Sequence, residues 1–393
     1  MHGTAPVSDM SDNRISSTVS RLAAIGPDRR AAIARLHQSV ARCVPAMRAR
    51  AREADRQAAF PTADIAALRA CGALLAPLPL RHGGLGLGTE PDGAMGLFDL
   101  LRLIGCGSMA AGRIVEGHVN ALQLICLYGD DARIDRAAED AARGHLFAIW
   151  ATEAPPGVRL GDDGVLTGRK SHGSAAGHAT RALITVDHPD RSRLLLVSLP
   201  PGERTGPTRE VLHGMRATRS GWIDFEFYAP READWIGQAG DYMREPAFSA
   251  GAWRALAVML GGIQALVGEL RAQLHARGRH GNPHQAARIA QALIAQETAF
   301  LWVRKAALLA ESDDARAEDV IGYVGLARRA VENAALEAIQ LAQRSLGMAA
   351  LVDANPAELL MRDLATYLRQ PALDEAIEEA AAHFVTAALP SEP

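Results

Sequence analysis

The stretch WRALAVMLGGIQALVGELRAQL, residues 253 to 274, decides the architecture. Leu256, Leu260, Ile263, Leu266, Leu270 and Leu274 return every three or four positions and lie along one stripe. The pattern comes back in VGLARRAVENAALEAIQLAQRSLG, through Val324, Val331, Ile339 and Leu346. Helices of this length, each with one apolar stripe, bury it most simply against one another, so residues 236–393 are expected to form a helical bundle.

Working outward, the middle of the chain changes character. HLFAIWATE, GVLTGRKSHG, RALITVDH and SRLLLVSLP are short apolar runs separated by Gly, Pro and Asp, which predicts a small β domain over 145–235. Upstream, residues 28–144 read as helical. IARLHQSVARCVPAMRARAREADR carries apolar residues with helical spacing, and FPTADIAALRACGA predicts a short helix capped by Thr62 and ended by Gly72. Two more helices are expected around 94–104 and 114–127, and residues 1–27 form a polar, Ser-rich segment expected to be disordered.

Composition sets outer limits. The chain has 393 residues, too many for one ordinary core, and 48% of them are hydrophobic, enough for a large interior. A net charge of −3 with no basic excess gives no argument for nucleic acid. No apolar run reads as a membrane span and no leader is evident. Cys43, Cys71, Cys106 and Cys126 form no C-x-x-C pair. They read as reduced thiols of a cytoplasmic protein, and no metal is expected.

Five stretches, in order, resemble motifs of the acyl-CoA dehydrogenase superfamily. LLAPLPLRHGGLGLG (74–88) is similar to its Pro-x-x-x-Gly-Gly-x-Gly turn, and IWATEAP (149–155) to its Thr-Glu-Pro flavin loop. LTGRKSHGSAAGHATRALITV (166–186) resembles the hairpin that follows, LHGMRATRSGWIDFE (212–226) the segment closing that domain, and ELLMRDLATY (358–367) the Leu-x-Arg-Asp helix. The resemblance covers about residues 29 to 385. It implies a mostly α, α+β fold: an N-terminal helical domain, a middle β-barrel-like domain and a C-terminal four-helix bundle.

The resemblance also implies a flavin, FAD in the first place, with FMN or reduced flavin as alternatives. Ala151 and Thr152 match the position that holds the flavin ring, and Ser174 the second hydroxyl. His172 falls where relatives place an aromatic ring; an imidazole there either stacks on the flavin or is an ordinary turn histidine. Arg277 aligns with the arginine that reaches a neighbouring subunit's flavin, and Arg279 is the near alternative. A homodimer or homotetramer is therefore implied, with a small-molecule substrate and a flavin reductase or an electron-transfer flavoprotein as redox partner. The family's pyrophosphate-holding Gly-Ser-Asp is missing from EAPPGVRLGDDG, where Arg159 reads either as a substitute or as a solvated loop arginine, and AQRSLGMAA keeps only Gln343 and Gly347 of the adenine-side motif.

The departure that matters most is the base. Dehydrogenases of the common branch carry a glutamate about eight residues after the Arg-Asp pair. In MRDLATYLRQPALDEA (361–376) that position is Pro371. A second branch carries the base before an arginine matching Arg254, and Trp253 stands there. Asp374 and Glu375 are the weak candidates nearby, but they read as acids favouring the first turn of a new helix. Three readings follow: an FAD-dependent dehydrogenase of CH–CH groups with a relocated base, a two-component monooxygenase using reduced flavin and O2, or a binding protein that kept the fold.

Overall fold

A computed structural model describes residues 26–187, 191–207 and 212–392. Most of the N-terminal segment expected to be disordered, residues 1–25, lies outside the described residues.

The N-terminal part contains α1 (Pro27–Arg56), α2 (Thr62–Ala70), α3 (Ala94–Gly107), α4 (Met109–Tyr128) and α5 (Asp131–Ala142). Pro27 opens α1 at a position where its missing N–H costs nothing. The expected start of α2 shifts by one residue: Pro61 is the N-cap, Thr62 is the first helical residue, and its hydroxyl instead faces the Phe60 carbonyl. Gly72, at φ 84°, ends that helix in the left-handed region, where a residue without Cβ is favoured. Ser108 begins α4, accepting from the Ala111 N–H at 3.2 Å. The helix α5 was not anticipated. Asp130 caps it by accepting from the Arg133 N–H at 2.9 Å.

The middle part holds two four-stranded sheets. One has the order β1 (Phe147–Trp150), β4 (Arg181–Val186), β5 (Arg193–Ser198), β8 (Trp235–Ile236). The other runs β2 (Glu153–Leu160), β3 (Leu166–Gly173), β7 (Gly221–Asp224), β6 (Thr205–Pro207). β1 pairs with β4 in parallel and the remaining pairs are antiparallel. β3 alternates buried and exposed residues over most of its length, the period-two signature of a half-buried strand.

The C-terminal part has a short α6 (Ala247–Ala250), then α7 (Trp253–Ala276), α8 (Pro283–Ala310) and α9 (Ala317–Leu346). Two shorter helices complete it: α10 (Pro356–Tyr367) packs on α7, and α11 (Leu373–Phe384) on α9. All six residues of the α7 stripe are buried. Residues 247–276 are apolar and long enough to cross a membrane, contrary to expectation, but 83% of the apolar window is buried inside the protein. It is the central helix of the bundle. α3 lies directly against it, because glycines meet at the crossing. A Cβ at Gly105 would overlap the Val258 carbonyl, and one at Gly261 the Arg102 carbonyl. Small residues here bring the backbones together and fix the N-terminal helices on the bundle.

The three parts are also tied by charge. Asp55 of α1 accepts from Arg362 at 2.8 Å and from Arg216 at 2.7 Å, and Arg362 donates to the His213 carbonyl at 2.7 Å. Asp363 accepts from the Met215 N–H at 2.6 Å, and burial pushes its carboxyl up to about 7. The Arg362-Asp363 pair is thus a structural clamp among α10, α1 and the loop before β7.

Candidate active site

A cleft of about 650 Å³ opens where the three parts meet. Its β wall is built from the end of β1, the start of β2 and the end of β3. Lys170 is fully buried beneath this wall, ion-paired with Glu153 and donating to the Thr185 hydroxyl at 2.7 Å. Burial pulls the Lys170 ammonium down to about 7, and Asp187 partly opposes the shift. The other oxygen of Glu153 accepts from the Val158 N–H at 3.0 Å. Just above, the Ser171 N–H donates to the Thr152 carbonyl at 3.1 Å, and its hydroxyl to the Glu153 carbonyl at 3.0 Å. These bonds hold residues 151–153 against β3, so that Ala151 and Thr152 face the cleft in a fixed conformation.

His172 follows Ser171 with φ 54°, an uncommon conformation for a residue with a side chain, and it is exposed at the cleft. The Trp150 indole donates to the Ser174 carbonyl at 2.9 Å and locks the far end of the hairpin. Ser174 does not line the cleft, and Ser171, not singled out in the sequence, does.

The second wall is the polar face of α4. Arg113, Glu116 and Asn120 line the cleft at helical spacing. Glu116 is buried, paired with Arg113 and accepting from the Asn120 amide at 2.5 Å. Asn120 accepts in turn from Arg254 at 3.3 Å, and Arg254 donates to Glu311 at 2.7 Å. A continuous charged chain thus runs from α4 through α7 to the end of α8, with Arg113 and Arg254 each held by a carboxylate. Burial, with the Glu116 charge beside it, raises the phenol of Tyr367 well above its ordinary range, and it raises Tyr242, which lines the cleft, as well. Sequence reasoning missed this wall. An Arg-x-x-Glu pair on a helix has the spacing of a solvated surface pair, and only the packing of α4 shows that it is inside.

The third wall is the C-terminal stretch from Gln370 to Glu379. Pro371 and Ala372 line the cleft, and the Arg328 guanidinium donates to both of their carbonyls, at 2.5 and 3.3 Å. Ala372, at φ 55°, turns the chain into α11. Glu375 lies on the first turn of α11, exposed and lining the cleft, whereas Asp374 does not line it. Trp253, at the second position where a base is looked for, is fully buried, and its indole donates to Glu311 at 3.1 Å.

Arg277 and Arg279 sit far from this cleft, beyond the opposite end of α7 from Arg254, about 35 Å away along the helix. Both are exposed, and Arg277 donates to Gln273 at 3.0 Å. A single chain does not bring them to the residues above. Arg159 is likewise exposed, 3.8 Å from Asp187.

Among solved structures the likeness extends over nearly the whole chain. A KijD3 bound to FMN and dTDP-3-amino-2,3,6-trideoxy-4-keto-3-methyl-D-glucose is 20% identical, with a TM-score of 0.77 over 94% of this chain and 97% of that one. TdsC from Paenibacillus sp. A11-2, bound to FMN and indole, is 18% identical, with a TM-score of 0.78 over 91% and 99%. Butyryl-CoA dehydrogenase from Megasphaera elsdenii is 15% identical, with a TM-score of 0.76 over 92% and 99%. The fold is acyl-CoA dehydrogenase-like, and dibenzothiophene monooxygenase and methanesulfinate monooxygenase share it. No protein-family model and no curated protein matches the sequence. Within the acyl-CoA dehydrogenase-like fold, the cleft described here is bounded by the middle domain, the N-terminal helices and the bundle.

Proposed function

We propose that the protein is a flavin-dependent monooxygenase, taking reduced flavin from a separate reductase and using O2 on a small molecule. The observation that carries this reading is the third wall. Pro371 and a buried Trp253 occupy both places where dehydrogenases with this fold carry a carboxylate. A dehydrogenase needs that group to take the α proton while the flavin takes a hydride. The buried carboxylate in the cleft, Glu116, is neutralised by Arg113 and held by Asn120.

The residues present suit a flavin. Ala151, Thr152, Ser171 and His172 offer backbone groups, two hydroxyls and an imidazole on one fixed wall. The cleft's volume falls within the roughly 300–1,000 Å³ of ordinary ligand sites. FMN is the better candidate: the adenine-side motif is reduced to Gln343 and Gly347, and the KijD3 and TdsC structures hold FMN. When bound, reduced flavin supplies two electrons, so that one oxygen atom of O2 enters the substrate and the other leaves as water. The chain's own contribution is to hold the ring, orient the substrate between the α4 wall and the C-terminal wall, and exclude water.

A homodimer is part of the proposal. Ile294 and Leu301 stand exposed on α8, seven residues apart, and the Arg277–Arg279 loop would reach a second subunit's flavin. Light scattering checks the assembly, and a flavin-bound monomer would contradict it.

The test of the reaction is to titrate the protein with FMN, oxidised and then reduced, under anaerobic conditions. Reduced FMN should bind at least about tenfold more tightly, and admission of O2 should consume it. Tightly bound oxidised FAD on the purified protein, without that preference, would instead favour a dehydrogenase. The carboxylates of Glu245, Glu375 and Glu379 at the cleft are the observations for that second reading.

A further inference from the structure

Two thiols meet outside the cleft. Cys43, in the middle of α1, and Cys71, the residue that ends α2, have their sulfurs 3.6 Å apart. Both are half-buried at the margin of the core, open to a small oxidant. Cys43 also faces the Ser39 carbonyl at 3.4 Å. The chain between them carries three contacts to the middle domain. Asp55 bonds Arg216, the Ala58 carbonyl accepts from Arg219 at 3.2 Å, and the Phe60 ring stacks on His178 at 4.0 Å. His178 and Arg219 belong to the segments flanking the hairpin that carries His172.

We propose that Cys43 and Cys71 are a disulfide-forming site whose oxidation staples α1 to α2 and closes the loop between them, which rests on the middle domain. The oxidant is hydrogen peroxide. One thiolate attacks a peroxide oxygen, the O–O bond breaks, and water leaves after protonation, giving a sulfenic acid. The second sulfur attacks the first, the S–O bond breaks, and a second water leaves. Two thiols and one peroxide thus give one disulfide and two waters. The sulfurs must approach by about 1.5 Å to reach bonding distance. Cys71 lies at a helix end followed by Gly72 at φ 84°, where the backbone can give. The proposal does not depend on the reaction assigned to the cleft. The other two cysteines are internal controls by geometry, since burial raises the Cys71 thiol as it raises that of Cys126. Among the described residues neither control faces a second thiol, and Cys106 is held against Arg48 at 2.8 Å.

The experiment treats the full chain with stoichiometric peroxide, alkylates the remaining thiols and measures intact and peptide masses. Two of the four thiols should be protected, in a dithiothreitol-reversible cross-link joining the Cys43 and Cys71 peptides. The thermal midpoint should rise by about 5 °C. Cys106→Ser with Cys126→Ser should keep the cross-link, and Cys43→Ser should abolish it. Four freely alkylated thiols, a bridge involving Cys106 or Cys126, a link between two chains, or a Cys43–Cys71 bridge with no change in melting would overturn the proposal.

Discussion

The β wall and the C-terminal wall of the cleft are built by opposite means. The β wall rests on a buried lysine with two side-chain partners, and its loop is bonded back to β3 at two points. The C-terminal wall is an exposed turn whose two carbonyls are held by Arg328, leading into a helix that packs on α9. The first presents the residues proposed to hold a flavin ring. In the second, the position expected to carry a base is a proline. On that proposal the grip on the cofactor is the rigid, internally bonded part of the site, and the substrate side lies on a turn at the surface.

The sharpest way to break this contrast is Lys170→Ala. It removes a buried stem and leaves Glu153 and Thr185 without their donor, which should cost about 4 kcal/mol and abolish flavin binding. Denaturant unfolding and flavin fluorescence read both effects. A variant that still binds flavin normally would show that the β wall does not need its support.

Acid tests the same wall. His118 of α4 donates from Nε2 to the Leu74 carbonyl at 2.8 Å and accepts at Nδ1 from the Phe147 N–H at 3.1 Å, so only the neutral ring fits. Burial lowers it to about 4. The folded state therefore binds fewer protons than the unfolded chain, and stability is lost as pH falls from about 6.5 through 4, by up to about 3 kcal/mol. His118→Gln should flatten that part of the pH profile.

The order of helical, β and helical regions, the long helices and the clustering of Ala151, Thr152 and His172 on one side of the cleft were legible in the sequence, because periodicity and motif order carry them. The α4 wall was not. Arg113, Glu116 and Asn120 have the spacing of a solvated face, and burial is a tertiary fact. Nor could one chain's sequence show that Ser171 rather than Ser174 lines the cleft, because that depends on how the hairpin packs. Glu375 was read as a first-turn acid of α11, which it is, yet the turn at Ala372 also sets it at the cleft.

A smaller effect is expected from Arg328→Ala. Freeing the carbonyls of Pro371 and Ala372 should loosen the C-terminal wall by about 1–1.5 kcal/mol, raising KM for a substrate while flavin affinity stays unchanged. A drop in flavin affinity would mean that the two walls are coupled. The smallest effect belongs to Glu375→Gln and Asp374→Asn, which should change turnover by less than about threefold. Loss of a general base typically costs a factor of about 10²–10⁴. A fall of that size in Glu375→Gln, with flavin bound, would make Glu375 the relocated base.

The most direct test of the central claim is an anaerobic titration of the flavin-loaded protein with butyryl-CoA, followed at the flavin's visible absorbance band. With Pro371 and Trp253 in the two base positions, the spectrum should stay that of oxidised flavin at any thioester concentration. Bleaching of the flavin would show that a base is in place and that this cleft oxidises thioesters after all.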